Sequence, residues 1–431
     1  MQTEGCWFKL ASYFNAPCAA SGYDTEIRLK YWQAKLLAKQ ASSNALAREG
    51  DFCLESIQNK LGDLRAGWGL INNLGQSDYL ESEIMTGWAI VGCGMIAKFH
   101  ARAIAELKGS KLVACQSRSL EKATEFAGTF GGTPYDDLAE MLANPAVDIV
   151  TICTPSGGHL EPGVAAARAG KHVLVEKPLE VTKARCDRLI AACSSAGVQL
   201  GTIFPSRFLK SAQLLKTAVD QNRFGTVSIA SAYVKWFRTQ AYYDSGKWRG
   251  TWNLDGGGAL MNQAIHSVDL LLWLMGPVRS VSAMTALRSH ERIEVEDVAT
   301  AILEFESGAL GTIEATTAAY PGTLKRIEIA GSIGSATLQE EAITQWSFAK
   351  PNKNDLKIVQ QMSANSTGGG AADPAAIGHQ AHRDLFANFL HGIKKGLPCA
   401  IDGIEGRKSV ELINSIYKSA KSGKRVMLGK K

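Results

Sequence analysis

The sequence lacks the features of a membrane-bound or secreted protein. No uninterrupted apolar run approaches the ~20 residues that a membrane-spanning helix needs. The N-terminus has no basic segment followed by an apolar one, so we find no secretory signal. The nine cysteines include no C-x-x-C pair, which favours free, buried thiols in a reducing compartment, and we predict no metal site. Together these absences favour a cytoplasmic protein.

A strong charge of one sign is also lacking. Lys and Arg number 47 against 41 Asp and Glu, which gives a net charge of +6, and basic residues occur only in short clusters such as Lys394-Lys395. We therefore expect neither a nucleic acid nor a membrane as partner, and we assign the positive charge to an anionic cofactor or substrate. The 431 residues, 45% of them hydrophobic, are enough for two domains with separate cores.

Residues 1–84 fit poorly with the rest of the chain. Two stretches are moderately helical, Glu26–Ala47 and Phe52–Leu64, but this segment contains no strand pattern and no site motif. Met85 stands immediately before the first predicted strand, where a domain would normally begin. We interpret residues 1–84 as an appended or wrongly translated extension that is poorly ordered and not needed for activity.

From Thr86 onward, apolar strands alternate regularly with helices. This spacing predicts a doubly wound parallel sheet, an α/β Rossmann domain over residues 85–205. Later strands follow one another without helices between them, which predicts an α+β domain with a large open, mainly antiparallel sheet over residues 206–431. Within that domain we predict one long helix over Ala259–Leu274 and a mobile loop, rich in Gly, Ala and Ser, over Ser363–Ala376.

The first strand and the helix after it have the form of a dinucleotide-binding unit. Trp88–Val91 is an apolar strand, Gly92 and Gly94 form a turn, and an alanine-rich helix follows. This order matches the G-x-G-x-x-G/A pattern, in which unpaired N–H groups at the helix N-terminus bind a pyrophosphate. Alone, the pattern also fits a tight strand-to-helix turn, but here strand, helix and second strand all fall where it requires. The predicted cofactor contacts in this unit are Gly92, Gly94, Met95 and Ile96.

The end of the second strand indicates which nucleotide binds. Rossmann domains that prefer NAD place an acidic residue there, about 20 residues after the glycines, to hold the ribose 2′-OH. This sequence has Gln116-Ser117-Arg118 instead, without a carboxylate. Ser117 and Arg118 are suited to a 2′-phosphate, so we predict NADP in preference to NAD. The alternative is that Arg118 is a solvent-facing loop residue.

Two further strands end in polar residues at the edge of the sheet where ligands of open α/β folds bind. Thr154-Pro155 follows one of them, with His159 shortly after, and Glu176-Lys177-Pro178 follows the other. The X-Pro bond allows a cis peptide that would fix the direction of the lysine side chain. Taken singly, the histidine also fits a plain loop and the lysine a surface position. The predicted cofactor contacts here are Thr154, Pro155, His159, Glu176 and Lys177.

A third stretch, Asp255–Asp269, combines three glycines with a helix that carries Asn262 and His266. These two residues are four apart, so a regular α-helix places them on one face. A lone histidine in such a helix is usually structural. Beside a lysine and a nucleotide it becomes a credible acid/base.

Taken together, these pieces resemble the glucose-fructose oxidoreductase / inositol dehydrogenase / MocA-like (Gfo/Idh/MocA) oxidoreductase family, over nearly everything from Met85 to the C-terminus. The stretches that carry the resemblance are Gly92-x-Gly94-x-x-Ala97, Thr154-Pro155 with His159, Gly170 to Pro178, and Gly256 to Asp269. The resemblance implies that Lys177 is the catalytic lysine next to the nicotinamide and that His266 transfers the proton. It also implies a homodimer or homotetramer built on the exposed face of the second sheet.

The sequence departs from this family at Asn262, where members often have an aspartate one helical turn before the histidine. An amide exchanges no proton at neutral pH, so any acid/base role falls on His266 alone. The stretch Trp248–Trp252 looks like the subgroup that acts on sugars and nucleotide sugars, because Trp stacks on sugar rings and Arg binds carboxylates or phosphates. The predicted substrate contacts are Lys177, Arg207, Trp248, Arg249, Asn262 and His266.

The resulting hypothesis is an NAD(P)-dependent oxidoreductase. Hydride passes between the nicotinamide and a secondary alcohol of a sugar, nucleotide sugar or cyclic polyol, with His266 as base and Lys177 as the fixed positive group. Two alternatives belong to the same fold: a nucleotide-dependent glycoside hydrolase and a non-catalytic protein that senses NAD(P). The presence of both Lys177 and His266 argues against the non-catalytic alternative.

Overall fold

The computed structural model describes residues 85–363 and 378–429. The predictions for residues 1–84 and for nearly all of the loop Ser363–Ala376 lie outside these ranges. The described residues belong to one compact unit that begins at Met85. A boundary between two domains near residue 205 stays a prediction.

The first sheet contains six strands, all parallel to their neighbours. They are β1 (Thr86–Val91), β2 (Ser110–Gln116), β3 (Thr133–Tyr135), β4 (Ile149–Ile152), β5 (His172–Val175) and β6 (Leu200–Thr202). Their order across the sheet is β3-β2-β1-β4-β5-β6, so the winding reverses between β1 and β4. The predicted doubly wound sheet is confirmed, and the short β3 is the strand of this sheet that the sequence analysis missed.

Helices cover this sheet and explain its apolar strands. They are α1 (Met95–Ala105), α2 (Leu120–Phe130), α3 (Leu138–Ala143), α4 (Leu160–Arg168) and α5 (Lys183–Ala196). All four residues of β4 are buried, as expected for a parallel strand with both faces covered. The side chain of Ser119 accepts a hydrogen bond from the N–H of Lys122, 3.4 Å away, and so caps α2 as predicted.

The second sheet contains eight strands. They are β7 (Val227–Lys235), β8 (Val278–Ala286), β9 (Val298–Phe305), β10 (Leu310–Thr316), β11 (Arg326–Gly331), β12 (Gly334–Gln339), β13 (Ala342–Phe348) and β14 (Val426–Met427). Their order is β13-β12-β11-β7-β10-β9-β8-β14, and only β7 and β10 pair in parallel. The prediction of a mainly antiparallel sheet is confirmed, and residues Glu306–Gly308 form the turn between β9 and β10. The strands β12, β13 and β14 were missed.

Further helices follow β6 along the chain. They are α6 (Lys210–Asp220), α7 (Gln240–Asp244), α8 (Ile265–Met275), α9 (Asp355–Ser363), α10 (Gln380–Lys395) and α11 (Gly403–Ser422). The apolar helix α8 packs against β7 and β11 of the second sheet. By contrast, α10 packs against α1 and α11 against α5, so the last two helices reach elements of the first sheet. Among the described residues, no helix combines the length and the apolar character needed to cross a membrane.

The predicted helix Ala259–Leu274 is not a uniform α-helix, which corrects the sequence analysis. Residues Ala259–Ala264 are π-helical, and the regular α8 begins only at Ile265. π-Helical turns are rare and occur frequently at functional sites.

A distant carboxylate holds the start of this π-helical turn. The Glu296 side chain accepts hydrogen bonds from the N–H groups of Gly258 and Leu260 at 3.0 and 2.9 Å. A Cβ atom on Gly258 would lie 1.7 Å from the Glu296 carbonyl oxygen, so only glycine fits there. The winding of this helix is thus set by a contact 38 residues along the chain rather than by local periodicity.

Candidate active site

The glycine turn after β1 provides the predicted phosphate-binding cradle. Gly92 has a φ of +94°, and a Cβ atom on it would lie 2.9 Å from the backbone carbon of Cys153, so this position requires glycine. A Cβ on Gly94 would meet no atom within 4 Å, which leaves open space in front of the α1 N-terminus. No side chain caps that terminus, and Met95, its first residue, is half exposed. Uncapped N–H groups facing open space fit a pyrophosphate.

The end of β2 carries the predicted contacts to the ribose. The Gln116 side chain is turned away from this edge and donates a hydrogen bond to the Asp136 carbonyl oxygen at 2.9 Å. Ser117 is half-buried and Arg118 is exposed. Among the residues that the structure describes, no ion pair to Arg118 is found. The guanidinium is therefore available to a phosphate.

The loop after β4 is held together by His159. This histidine is buried, and its ring nitrogens lie 2.8 Å from the Pro178 carbonyl oxygen and 2.9 Å from the Thr154 carbonyl oxygen. The Thr154 hydroxyl donates to the Gly158 carbonyl oxygen at 2.9 Å. His159 thus links the Thr154-Pro155 loop to the segment that carries Lys177. Its contact with the cofactor stays a prediction.

Lys177 lies at the carboxyl end of β5 and points to the helix that carries His266. The Lys177–Pro178 peptide is cis, as the sequence allowed. The Lys177 Nζ donates a hydrogen bond to the Asn262 carbonyl oxygen at 2.8 Å, within the π-helical turn. Burial lowers the pKa of Lys177, although the carboxylates of Glu176 and Asp255 oppose this shift. The two stretches that the sequence analysis linked only by resemblance are therefore in direct contact.

His266 is the second residue of α8 and is close enough to Lys177 to feel its charge. Burial and the positive charges of Lys177 and Lys325 hold the pKa of His266 well below its usual value. The imidazole is accordingly neutral near pH 7 and able to accept a proton. Its Nδ1 is buried without a hydrogen-bond partner among the described residues, and its ring packs edge-on against Phe204 with centroids 6.0 Å apart.

Asn262 is tied to a carboxylate that the sequence analysis did not select. Its amide nitrogen donates to Asp255 Oδ1 at 2.5 Å, and its amide oxygen accepts from the Gln263 side chain at 2.8 Å. Asp255 also accepts from the Gly250 N–H at 2.9 Å. Burial raises the pKa of Asp255 to about 6, against the effect of these hydrogen bonds. The position of Asp255 immediately before three glycines is the one sequence signal that could have identified it.

Arg249 and Trp248 form an aromatic-lined positive group beside this cluster. The Arg249 guanidinium lies over the rings of Tyr242 and Trp248, 4.2 and 4.6 Å from their centroids, and donates to the Tyr242 hydroxyl at 2.6 Å. It forms no ion pair with the described part of the chain. Its charge contributes to lowering the pKa of Lys177. Arg249 thus remains suited to an anionic substrate group.

Arg207 departs from its predicted role in substrate binding. Its guanidinium is 4% exposed and forms a bidentate ion pair with Asp269, at 2.7 and 2.8 Å. It also donates to Glu405 of α11 at 3.2 Å. Both edges of the guanidinium are therefore occupied by the protein, and Arg207 joins α8 to the C-terminal helix instead of facing a ligand.

A buried polar cluster lies behind Lys177 and was not identified from the sequence. His100 Nε2 donates to Glu176 Oε1 at 2.9 Å, and His382 Nε2 lies 4.0 Å from the same oxygen. These three side chains are the one set within the described ranges whose donor atoms are close enough to share a metal ion. Glu176 is already hydrogen-bonded within the protein, because its second oxygen accepts from the Lys177 N–H at 3.0 Å.

Comparisons with known proteins agree with this architecture. Residues 86–204 match the oxidoreductase family with an NAD-binding Rossmann fold, and residues 212–337 match the GFO/IDH/MocA C-terminal domain. The chain is 27% identical to a myo-inositol 2-dehydrogenase of Thermotoga maritima, over 79% of this chain and 97% of that protein. It is 26% identical to a D-apiose dehydrogenase of Paraburkholderia graminis, over 79% of this chain and 89% of that protein.

A solved structure shares more of the sequence. The WlbA dehydrogenase from Bordetella pertussis, in complex with NADH and UDP-GlcNAcA, is 34% identical with a TM-score of 0.74, over 80% of this chain and 99% of that chain. The WlbA dehydrogenase from Chromobacterium violaceum, with the same two ligands, is also 34% identical with a TM-score of 0.73, over 81% and 98% of the two chains.

Proposed function

Because the chain belongs to the Gfo/Idh/MocA family of NAD-binding oxidoreductases, we propose that it transfers a hydride between NAD(P) and a secondary alcohol of a sugar or nucleotide sugar. The observation that carries the proposal is the contact between Lys177 Nζ and the Asn262 carbonyl oxygen at 2.8 Å. This contact brings the Lys177 ammonium to the helical segment that carries His266 four residues further along the chain. A base and a fixed positive charge are the two groups that oxidation of an alcohol requires.

Lys177 and His266 have different roles in this reaction. A nucleotide held at the turn of Gly92 and Gly94 would supply the hydride acceptor. Lys177 uses one N–H to bind the Asn262 carbonyl oxygen and keeps its remaining N–H groups for the substrate hydroxyl oxygen, on which negative charge develops. A ring nitrogen of His266 takes the hydroxyl proton, since the low pKa keeps this imidazole unprotonated near pH 7. In the reverse direction His266 returns that proton to the alkoxide.

A nucleotide sugar that carries a negative charge is the substrate class that we expect first. Arg249 supports this choice, because its guanidinium is stacked, oriented and free of a carboxylate partner within the described residues. The similarity to dehydrogenases solved with UDP-GlcNAcA supports it independently. Absorbance at 340 nm should rise when the protein is mixed with NAD⁺ or NADP⁺ and UDP-GlcNAcA, more than with myo-inositol or D-apiose.

Two results of this screen would overturn the proposal. If the nucleotide bound but absorbance at 340 nm changed with none of the three alcohols, the protein would bind the nucleotide without transferring a hydride. Release of a free sugar at constant absorbance would select the glycoside hydrolase alternative instead.

We propose further that NADP is preferred over NAD. The support is the absence of a carboxylate at the end of β2 together with the exposed Arg118 beside Ser117. Replacing Arg118 by Ala should weaken NADPH binding roughly 10-fold, which is the effect of losing a hydrogen bond to a charged group, and leave NADH binding unchanged. Arg102, an exposed arginine of α1, gives the matched control Arg102→Ala. Equal effects of Arg118→Ala on both nucleotides would contradict the preference.

We also propose that the protein forms a homodimer or homotetramer through the second sheet. Apolar side chains stand on the open face of β7, β8, β9 and β10, because strand positions two apart share a face and the register aligns them. Their exposed fractions are 44% for Ile229, 79% for Met284, 59% for Ile302 and 54% for Leu310. Light scattering on the purified protein in solution should give two or four times the mass of the chain. The mass of a monomer at micromolar concentration would contradict the proposal.

A further inference from the structure

Three segments around the candidate site meet at Tyr417, a residue of helix α11 that has no part in the mechanism described so far. Its hydroxyl donates a hydrogen bond to Glu296 Oε1 at 3.0 Å. A Cβ atom on Gly257 would lie 2.1 Å from the same hydroxyl oxygen. The ring of Trp252 meets the Tyr417 ring edge-on, with centroids 5.1 Å apart. A helix near the C-terminus therefore contacts the glycines that precede the π-helical turn.

The Glu296 carboxylate joins Tyr417 to this turn. Glu296 is 5% exposed, and its Oε2 accepts a hydrogen bond from the Gly258 N–H at 3.0 Å. Its Oε1 accepts from the Leu260 N–H at 2.9 Å and from the Tyr417 hydroxyl. Burying a carboxylate is costly unless hydrogen bonds compensate for the lost water. Removal of the Tyr417 hydroxyl therefore weakens the hold of this carboxylate on the turn.

A chain of hydrogen bonds connects the same carboxylate to Lys177. The N–H of Gly258 donates to Glu296, and the carbonyl oxygen of Gly258 accepts from the Asn262 N–H at 3.0 Å. The Asn262 carbonyl oxygen in turn accepts from Lys177 Nζ at 2.8 Å. Because these links follow one another directly, a shift of Glu296 moves the carbonyl group that Lys177 binds.

We propose that Tyr417 and Glu296 are positioning residues that fix the π-helical turn. By fixing it, they direct the carbonyl oxygen of Asn262 toward the Lys177 ammonium. Both act through the backbone of the turn. The expected effect on turnover rests on the function proposed above, whereas the hold on the turn does not.

The direction of the Tyr417 hydrogen bond follows from the surroundings of the hydroxyl. Burial, and after it the charge of Glu296, raises the pKa of Tyr417 well above its usual value, so the hydroxyl keeps its proton and is the donor. Burial also raises the pKa of Glu296 to about 7, against the hydrogen bonds that this carboxylate accepts. Measurements at pH 8 therefore observe an ionised carboxylate beside a protonated phenol.

Hydrogen exchange tests the hold on the turn without any substrate. Tyr417→Phe removes the hydroxyl and keeps the ring that packs on Trp252. Peptides that cover residues 257–264 of the full chain are followed by mass spectrometry at pH 8. The N–H groups of Gly258 and Leu260 should exchange roughly 10-fold faster in Tyr417→Phe, the usual effect of losing a hydrogen bond to a charged group.

Ser419, two residues further along α11, provides the matched control. It is 1% exposed, and its hydroxyl donates to the Lys424 carbonyl oxygen at 2.7 Å and accepts from the Ala283 N–H at 3.0 Å. Ser419→Ala thus removes a buried hydroxyl of the same helix that does not bond to Glu296, and exchange in residues 257–264 should keep the parental rate. An unchanged rate in Tyr417→Phe, or an equal increase in both variants, would overturn the proposal.

Turnover separates positioning from a general loss of stability. In Tyr417→Phe kcat should fall about 10-fold, because small displacements of groups that orient the reactants slow a reaction strongly. KM for the nucleotide should be unchanged, and Ser419→Ala should keep both constants. A parental kcat in Tyr417→Phe would contradict the assignment of Tyr417 as a positioning residue.

Glu296→Gln tests whether the two residues act through one contact. An amide carries N–H donors on one side, so it cannot accept from both Gly258 and Leu260, and exchange in the turn should be at least as fast as in Tyr417→Phe. Adding Tyr417→Phe to Glu296→Gln should then cause no further increase. Additive increases would contradict the shared contact. If Glu296→Gln does not fold, the comparison of Tyr417→Phe with Ser419→Ala decides alone.

The exchange experiment needs no substrate, so the two hypotheses fail separately. Faster exchange in Tyr417→Phe, in a protein that oxidises no alcohol, would support the hold on the turn and remove the proposed function. Turnover by the parental protein, with unchanged exchange in Tyr417→Phe, would do the reverse.

Discussion

Two buried carboxylates act on the charge of Lys177, and their own pKa values are shifted in opposite directions. Glu176, on the side of the first sheet, has its pKa lowered to about 2, whereas Asp255, on the side of the π-helical turn, has its pKa raised to about 6. Both are almost fully buried, so burial does not separate them. The difference lies in their partners, since Glu176 accepts from an imidazole and Asp255 from an amide and a backbone N–H.

This contrast assigns different duties to the two sides of the site. Glu176, which stays ionised near neutral pH, is a fixed negative charge. A carboxylate with a pKa near neutrality can change its charge during the pH range in which the enzyme works. Pairs of titratable groups whose surroundings push their pKa values apart are typical of acid/base sites. Glu176, next to the first sheet, therefore keeps a constant negative charge near neutral pH, whereas Asp255, next to the π-helical turn, can gain or lose a proton there.

The largest expected effect comes from removing the Lys177 ammonium. Lys177→Met keeps a similar side-chain volume but removes the ammonium, so kcat should fall roughly 10³-fold, within the usual range for an acid/base group. Binding of NADPH, followed by fluorescence, should be unchanged. Lys183→Met, at an exposed lysine of α5 paired with Asp187, is the control and should keep parental turnover. Turnover of Lys177→Met at the parental rate would remove Lys177 from the mechanism.

A second prediction sharpens the comparison through the pH dependence of stability. The folded pKa of Asp255 is raised, so its contribution to the free energy of unfolding is largest at low pH and declines as pH rises from about 4 through about 6. The folded pKa of Glu176 is lowered, so its contribution is present above about 4.5 and is lost as pH falls toward 2. Each change amounts to about 3 kcal/mol, since one pKa unit corresponds to ~1.4 kcal/mol.

Urea unfolding of Asp255→Asn and Glu176→Gln against the parental protein, from about pH 2 to 8, measures these two slopes. The parental protein should lose stability relative to Asp255→Asn as pH rises. Its advantage over Glu176→Gln should stay constant above pH 5. If the stability of the parental protein relative to each variant changed with pH in the same direction, the opposite behaviour of Asp255 and Glu176 would be contradicted.

The smallest expected effect comes from Asn262→Asp, which places a second carboxylate against Asp255. The amide nitrogen of Asn262 lies 2.5 Å from Asp255 Oδ1, so two carboxylates there would share a proton and raise the pKa of Asp255 further. The acid limb of the kcat profile should move to higher pH, with a change in kcat of no more than about 10-fold at pH 8, because Lys177 binds the backbone carbonyl and not the amide. An unchanged acid limb would indicate that Asp255 does not titrate in this range.

The sequence was sufficient for features that depend on local pattern. The apolar strands of the first sheet, the glycine turn and the Ser119 cap follow from short stretches, and the structure contains all of them. The pairing of Lys177 with His266 came from family resemblance, and in the structure Lys177 donates a hydrogen bond to Asn262, four residues before His266. Their catalytic roles stay predictions.

Features that depend on distant contacts were missed. The π-helical turn is held by Glu296, and nothing in the spacing of apolar residues over Ala259–Leu274 distinguishes it from an α-helix. His382 reaches Glu176 only because α10 packs on α1. Arg207 looked available because its partners Asp269 and Glu405 lie 62 and 198 residues away. In each case the decisive neighbour is set by tertiary packing.

The most direct test of the account is a crystal structure of the protein with bound NADPH. We expect the pyrophosphate to lie at the α1 N-terminus. The nicotinamide should be in van der Waals contact with both Lys177 Nζ and the His266 ring. A nicotinamide that contacts neither Lys177 nor His266, with Lys177 still donating to Asn262, would contradict the roles proposed for these two side chains.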